Sequence, residues 1–202
     1  MYAGHDAASL LGRLLDVVQQ DIIPLTRKGV ARGNKIFGAA ILRKSDLSVV
    51  VAETNNELEN PLWHGEMHAI KRLFESIPQE QRLVEQLLFL STHEPCSMCL
   101  SAITWAGFDN FYYLFSHTDS RDSFAIPHDL KILKEVFTLD PGGYRSRNAF
   151  WTSHSIIAEI NALEEGEDRS ILTARATTIT GEYTELSQLY QSSKPHNNIP
   201  LP

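Results

Sequence analysis

Apolar residues recur at three- and four-residue intervals near the N-terminus, at Leu10, Leu11, Leu14, Leu15, Val18 and Ile22. That spacing lays one apolar stripe along a helix, and Pro24 or Gly29 is its expected stop. Two β-type runs follow, Ile36 to Leu42 and Ser48 to Glu53, and the polar turn Arg43 to Asp46 between them predicts a hairpin. Asn60-Pro61 predicts a helix start, because Asn caps and Pro tolerates the first turn, and this helix would carry His64 to about Phe74. Gln86 to Ser91 reads as a buried strand. Pro95 opens another helix, stopped by Gly107, and Asn110 to Phe115 reads as a fourth strand.

The resulting order is α-β-β-α-β-α-β. Helices between successive strands imply crossover connections, so the expected fold class is α/β: three layers, with a mixed, mostly parallel sheet after an initial antiparallel hairpin. Leu130 to Phe137 reads as helical, and Asp140-Pro141-Gly142-Gly143 as a break. Residues 1–150 are the expected catalytic domain. Residues 151–192 are expected to form a helical C-terminal extension of two or three helices, packing on the domain or on a partner subunit. Its apolar stripe is Ile156, Ile157, Ile160 and Leu163, ended by Gly166. Residues 193–202 have the composition of a disordered tail.

Composition narrows the function. At 202 residues with 43% hydrophobic and 21% charged residues, the chain has enough apolar surface for one core without disulfide staples. Eighteen basic residues against 25 acidic ones give net charge −7, opposite to the footprint of a protein that binds nucleic acid or anionic lipid. Arg27, Lys28, Arg32 and Lys35 form only a modest local basic group. The opening MYAGHDAASLLGRLL has no basic region followed by an apolar stretch, so neither a secretion signal nor a membrane span is expected, and the expected compartment is the cytoplasm. The only two cysteines, Cys96 and Cys99, cannot frame a secreted fold and point to metal or redox chemistry.

The chemistry concentrates in His64-Gly65-Glu66 and Pro95-Cys96-Ser97-Met98-Cys99, each at a predicted helix start. Cysteines at i and i+3 share a helix face, and a helix N-terminus favours thiolate over thiol. Two thiolates and one imidazole leave a tetrahedral zinc ion one open position, the mark of a catalytic site that lowers the pKa of a water from 15.7 to about 7. In a regular helix His64 and Glu66 would point roughly 200° apart, so they converge only if His64 sits at the open helix end. Glu66 would then stand beside the water as the acid/base group and not as a ligand. H-x-E followed by P-C-x-x-C is the signature of zinc-dependent nucleobase deaminases.

On these residues the chain resembles the cytidine/deoxycytidylate deaminase superfamily over about residues 5 to 140, with Phe37-Gly38-Ala39 similar to its first strand. The resemblance implies one zinc per chain held by His64, Cys96 and Cys99, with proton transfer by Glu66. It implies that Asn55 or Asn56 contacts substrate, and that Gly65, where the family more often has alanine, reshapes the pocket wall. Within the superfamily, Glu94 to Cys99, Ala102-Ile103-Thr104-Trp105-Ala106, His117-Thr118-Asp119 and Asp122-Ser123-Phe124 resemble bacterial-type guanine deaminases. That resemblance implies hydrolysis of guanine to xanthine with release of ammonia, a homodimer, and Asp122, then Asp119, as acceptors for the ring N–H groups. Alternatives are a guanosine or cytidine deaminase, a transfer RNA adenosine deaminase disfavoured by the acidic charge, and a zinc-stabilised binding module in which Glu66 would have no use.

Blander readings stand beside these. The cysteines could be a redox pair, which leaves His64 and Glu66 idle, or a closed structural zinc site with His93 as fourth ligand. His68 has the spacing of a second ligand, but Gly65 breaks the zincin motif, and His68 is expected to pack at the buried helix face. Trp105 is expected in the core ahead of a pocket wall. Asp119 and Asp122 also suit a helix cap and a solvated loop charge, and Asn55 and Asn56 a plain turn.

Overall fold

A computed structural model describes residues 5–139 and 142–201. Helix α1 (Ala7–Val17) begins at Asp6, whose side chain accepts the Ser9 N–H, and buries Leu10, Leu11, Leu14 and Leu15. The chain does not stop at Pro24. A five-residue π turn, Val18–Ile22, leads into α2 (Ile23–Ala31), where proline takes a first-turn position that needs no N–H donor. The helix ends ahead of Gly33, at φ +105°.

Strands β1 (Gly38–Arg43) and β2 (Val49–Thr54) form the predicted antiparallel hairpin. Helix α3 (Gly65–Ser76), strand β3 (Leu87–His93), helix α4 (Ser97–Trp105) and strand β4 (Asn110–Phe115) follow. Short helix α5 (His117–Asp122) and α6 (His128–Phe137) lead toward strand β5 (Thr152–Ser155), α7 (Ile156–Ala162) and the 27-residue α8 (Glu167–Ser193). Of the predicted break at 140–143, Asp140 and Pro141 lie outside the described residues.

The sheet order is β2-β1-β3-β4-β5. It is mixed as expected, but not mostly parallel: β1 pairs antiparallel with both β2 and β3, and only β3–β4 and β4–β5 are parallel. The reason is connectivity. The α3 crossover leaves β3 parallel to β2, and because β3 docks beside β1 it must oppose β1. The fifth strand was hidden in the expected helical extension, since Thr152-Ser153-His154-Ser155 has no apolar run to announce it.

Alternation along the strands sends side chains into two cores. Ala40, Leu42, Leu88, Leu90, Tyr112 and Leu114 face α1, α2, α7 and α8. Ala39, Ile41, Phe89 and Phe111 face α3 and α4. Helix α8 contributes Leu172, Ala176, Ile179, Tyr183, Leu186 and Tyr190 to the first core, so α7 and α8 complete this layer. The C-terminal segment is not a loose tail: Ile199 is buried, and Asn197 Nδ2 donates to the Gly33 carbonyl at 3.2 Å. Pro202 lies outside the described residues. No helix among the described residues is long and apolar enough to cross a membrane.

Candidate metal centre and its cavity

The N-termini of α3 and α4 meet at the C-terminal end of β3 and the N-terminal end of β1. Helix α3 starts at Gly65 and not at Asn60-Pro61, because residues 56–63 are spent in a turn in which Asn56 N–H donates to the Trp63 carbonyl at 2.8 Å and Asn60 Oδ1 accepts the Leu62 N–H at 3.0 Å. His64 is thereby the extended N-cap of α3, at φ −63° and ψ 160°. This frees its ring from the helical screw, and His64 and Glu66 reach the same niche. Cys96 is likewise the N-cap of α4, with Cys99 one turn inside.

His64 Nδ1 lies 3.6 Å from Cys96 Sγ and 3.8 Å from Cys99 Sγ. Ligand atoms of the three residues all fall within 4.8 Å of one another, and no other such group of metal-ligating residues occurs among the described residues. Two soft sulfurs and one imidazole nitrogen suit zinc. The charge balance fits a cation as well. Cys96 is held well below the ordinary thiol value, first by the hydrogen bond from Cys99 and, against the opposing effect of burial, by His64. Burial pulls His64 down, but the Cys96 thiolate, with Glu66 and Glu57, outweighs it and pushes the imidazole up to about 9.

Glu66 stands next to this cluster and outside it. Its Oε1 accepts from Ser91 Oγ at 2.9 Å, and its Oε2 accepts from Cys99 Sγ at 3.5 Å. Burial, then the Cys96 charge, pushes its carboxyl up to about 7.

Asn55 is fully buried. Its Oδ1 accepts the Gly65 N–H at 2.6 Å, and its Nδ2 donates to Glu57 Oε2 at 2.9 Å. Asn56 turns away, donating to Glu59 Oε2 at 2.6 Å. Gly65 packs against strand backbone: a Cβ there would lie 2.6 Å from Gly38 Cα. Close helix–strand approach, and not the shape of a pocket wall, explains this glycine.

A cavity of about 340 Å³ opens in front of the cluster. Lys35, Glu57, His64, Cys96 and Asp129 line it with Phe37, Leu62 and Ile126, and Pro200 and Leu201 also border it. A cleft of about 550 Å³ elsewhere, lined by Arg43, Lys44, Glu80 and Glu85, contains none of the cluster residues.

Several sequence expectations change here. Trp105 is neither core nor pocket wall: it is 91% exposed on α4. Asp119 Oδ2 accepts the Ser116 N–H and Oγ–H, both at 2.7 Å, as the capping box of α5. Asp122 is an exposed charge paired with Arg121 at 2.6 Å. Neither carboxylate lines the cavity, because α5 turns them away. Besides Glu57, which is committed to Lys35, the acid that does is Asp129, in the first turn of α6, pushed up to about 6 by burial and then by Cys96. A helix-start Asp just after Ile126-Pro127 was its only sequence signal. His93 is no fourth ligand; its ring is buried among Phe37, Phe115, Phe124 and Tyr183. His68 stacks on Trp63 and reaches the Thr54 carbonyl at 3.1 Å, the packing role expected of it. Lys35 leaves the surface basic group for a buried ion pair with Glu57.

Residues 18–115 match the family described as the cytidine and deoxycytidylate deaminase zinc-binding region. Guanine deaminase of Bacillus subtilis (strain 168) is 30% identical over 90 residues, 43% of this chain and 54% of that protein, so the match spans about half of the relative's length. The X-ray structure of guanine deaminase from Bacillus subtilis shares the fold, with TM-score 0.51 and 23% identity over 75% of this chain and 97% of that one. A structure from studies of A-to-I editing by tRNA:A34 deaminases gives TM-score 0.47 and 20% identity over 76% of this chain and 96% of that one. The zinc-binding region spans β1 to β4, so both predicted ligand motifs fall within it.

Proposed function

We propose that the protein is a zinc-dependent hydrolytic deaminase of a small purine base, guanine to xanthine with release of ammonia as the leading reaction. The observation that carries the reading is Glu66. A closed structural zinc site has no use for a buried carboxylate beside its ligands, whereas hydrolysis of an amine requires a group that accepts and returns protons at the metal.

In this reading His64, Cys96 and Cys99 hold one zinc ion. When bound, zinc acts as a Lewis acid that lowers the pKa of a water from 15.7 toward about 7. Glu66, steadied by Ser91, takes the proton of the attacking water and delivers protons to the ring nitrogen and to the departing ammonia. Asn55 holds the α3 start, and with it His64, at the reacting face. Asp129 accepts a ring N–H, the role that the resemblance alone had given to Asp122 or Asp119. The small cavity and its apolar walls favour a free base over a polynucleotide. The exposed Trp105 face of α4 supports the homodimer implied by the resemblance.

An ammonia-release screen of zinc-loaded protein over purine and pyrimidine bases, nucleosides and a transfer RNA tests the reading. Guanine is expected to be the best substrate. Glu66→Gln is expected to keep zinc and lose about 10²- to 10⁴-fold in turnover. Preference for transfer RNA, or near-normal turnover of Glu66→Gln with zinc intact, would overturn it.

A further inference from the structure

Lys35 and Glu57 form an ion pair with almost no access to solvent. Lys35 Nζ lies 2.6 Å from Glu57 Oε1, and the two side chains are 6% and 1% exposed. Taking both ions out of water is costly, and a buried pair seldom improves on apolar side chains of the same volume. Packing alone therefore gives little reason to put a lysine here.

The pair is fixed from several sides. Glu57 Oε2 accepts from Asn55 Nδ2 at 2.9 Å and from the Lys35 backbone N–H at 3.3 Å. Glu57 Oε1 is also 3.8 Å from His64 Nε2. One carboxylate oxygen thus touches both the ammonium and the rim of the metal cluster, which puts the Lys35 Nζ within the span of a small heterocycle from His64. Lys35, Glu57 and Asp129 line the same cavity. An ammonium has three donors, and Glu57 takes the one hydrogen bond recorded for the Lys35 Nζ among the described residues. Glu57 is satisfied; the ammonium has donors to spare.

Of the polar side chains lining the cavity, which also include Glu57, His64, Cys96, Ser97 and His128, Lys35 brings a cation that only donates and Asp129 a carboxylate that accepts when ionised. Their shared complement is an oxo group beside a ring N–H. Within a desolvated site a polar group left without its partner is penalised, which turns such contacts into discrimination.

We infer that Lys35 is a specificity-determining residue, whose ammonium, oriented by Glu57, donates to an oxo oxygen of the amino-substituted ring that is deaminated. The substrate class is an oxo-amino heterocycle, and analogues without the oxo group are rejected. The inference rests on the deaminase reading above and deepens it.

The test compares oxo and des-oxo partners on the zinc-loaded protein: guanine with 2-aminopurine, and cytosine with 4-aminopyrimidine. The parent is expected to favour the oxo member of the pair it uses by at least about tenfold in kcat/KM, and Lys35→Met is expected to shrink that preference by about tenfold or more. Calorimetric titration with the products xanthine and 2-oxopurine repeats the comparison without turnover, and zinc content reports the metal separately. Should Lys35→Met strand Glu57 and fail to fold, the double variant Lys35→Met/Glu57→Gln removes both charges and is read by the same ratios. A parent that uses both members of a pair equally overturns the lysine inference and leaves the deaminase reading standing. Equal losses on both members, or an unchanged preference, also overturn it by making Lys35 scaffold. A parent that turns over none of the four bases and binds neither product sinks both readings together.

Discussion

Asn55 Oδ1 accepts the backbone N–H of Gly65 at 2.6 Å, ten residues along the chain, and so caps a helix whose own N-cap residue, His64, has no side-chain cap hydrogen bond. The division of labour follows from chemistry. An N-cap side chain normally serves the exposed N–H groups of its own helix, but the His64 ring points to the cysteines, so a residue at the end of the hairpin supplies the missing acceptor. Asn55→Ala is expected to lower stability by about 1–3 kcal/mol, the cost of a buried donor without a partner. Zinc affinity should fall by about 10- to 100-fold, as when a group supporting a ligand is lost. Urea denaturation and competition with a chelating dye measure the two, and parent values in both would show that Gly65 finds another acceptor.

Metal removal should act on folding as well as on activity. A ligand that binds only the native state stabilises it by mass action, about 2.7 kcal/mol at a hundred times its Kd. Zinc is therefore expected to raise Tm of the parent protein and to be present at one ion per chain. Cys99→Ala removes one of two sulfurs and is expected to lose both effects. Elemental analysis paired with thermal melts decides this, and full zinc occupancy in the variant would refute the ligand set.

Gly65→Ala is expected to be costly despite the high helix propensity of alanine. The added Cβ would lie 2.6 Å from Gly38 Cα and 2.9 Å from its carbonyl carbon, both backbone atoms of a central strand. Overpacking of this kind costs about 1–3 kcal/mol. Chemical denaturation should show the loss, and a variant as stable as the parent would mean that β1 yields without strain.

His93 ties stability to pH. Burial among aromatic rings pushes its imidazole from the ordinary 6.5 down to about 3, and its Nε2 has no partner among the described residues. The unfolded chain binds a proton more readily than the folded one, so stability is fully present above pH 6.5 and declines as pH falls from about 6.5 to 3. His93→Phe removes this titration. The slope of unfolding free energy against pH in that window should be shallower for the variant, and parallel curves would show that His93 is not neutral in the core.

The sequence by itself carried the elements that announce themselves locally. Alternating or periodic apolar runs marked α1, the hairpin, β3, β4 and α6, and the two short motifs marked the metal centre, because ligand spacing on a helix start is a local property. Even the demand that His64 sit at an open helix end could be derived from a 3.6-residue period. Tertiary structure decided what depends on partners distant in sequence. Thr152–Ser155 is a strand because β4 offers an unpaired edge, and no hydropathy pattern reports such an edge. β3 opposes β1 because docking order and not strand composition sets direction. Asp129, and not Asp122 or Asp119, faces the cavity, since the α5 capping box consumes Asp119 and turns Asp122 to solvent. Lys35 leaves the surface because Glu57, twenty-two residues later, supplies the counter-charge that lets an ammonium be buried.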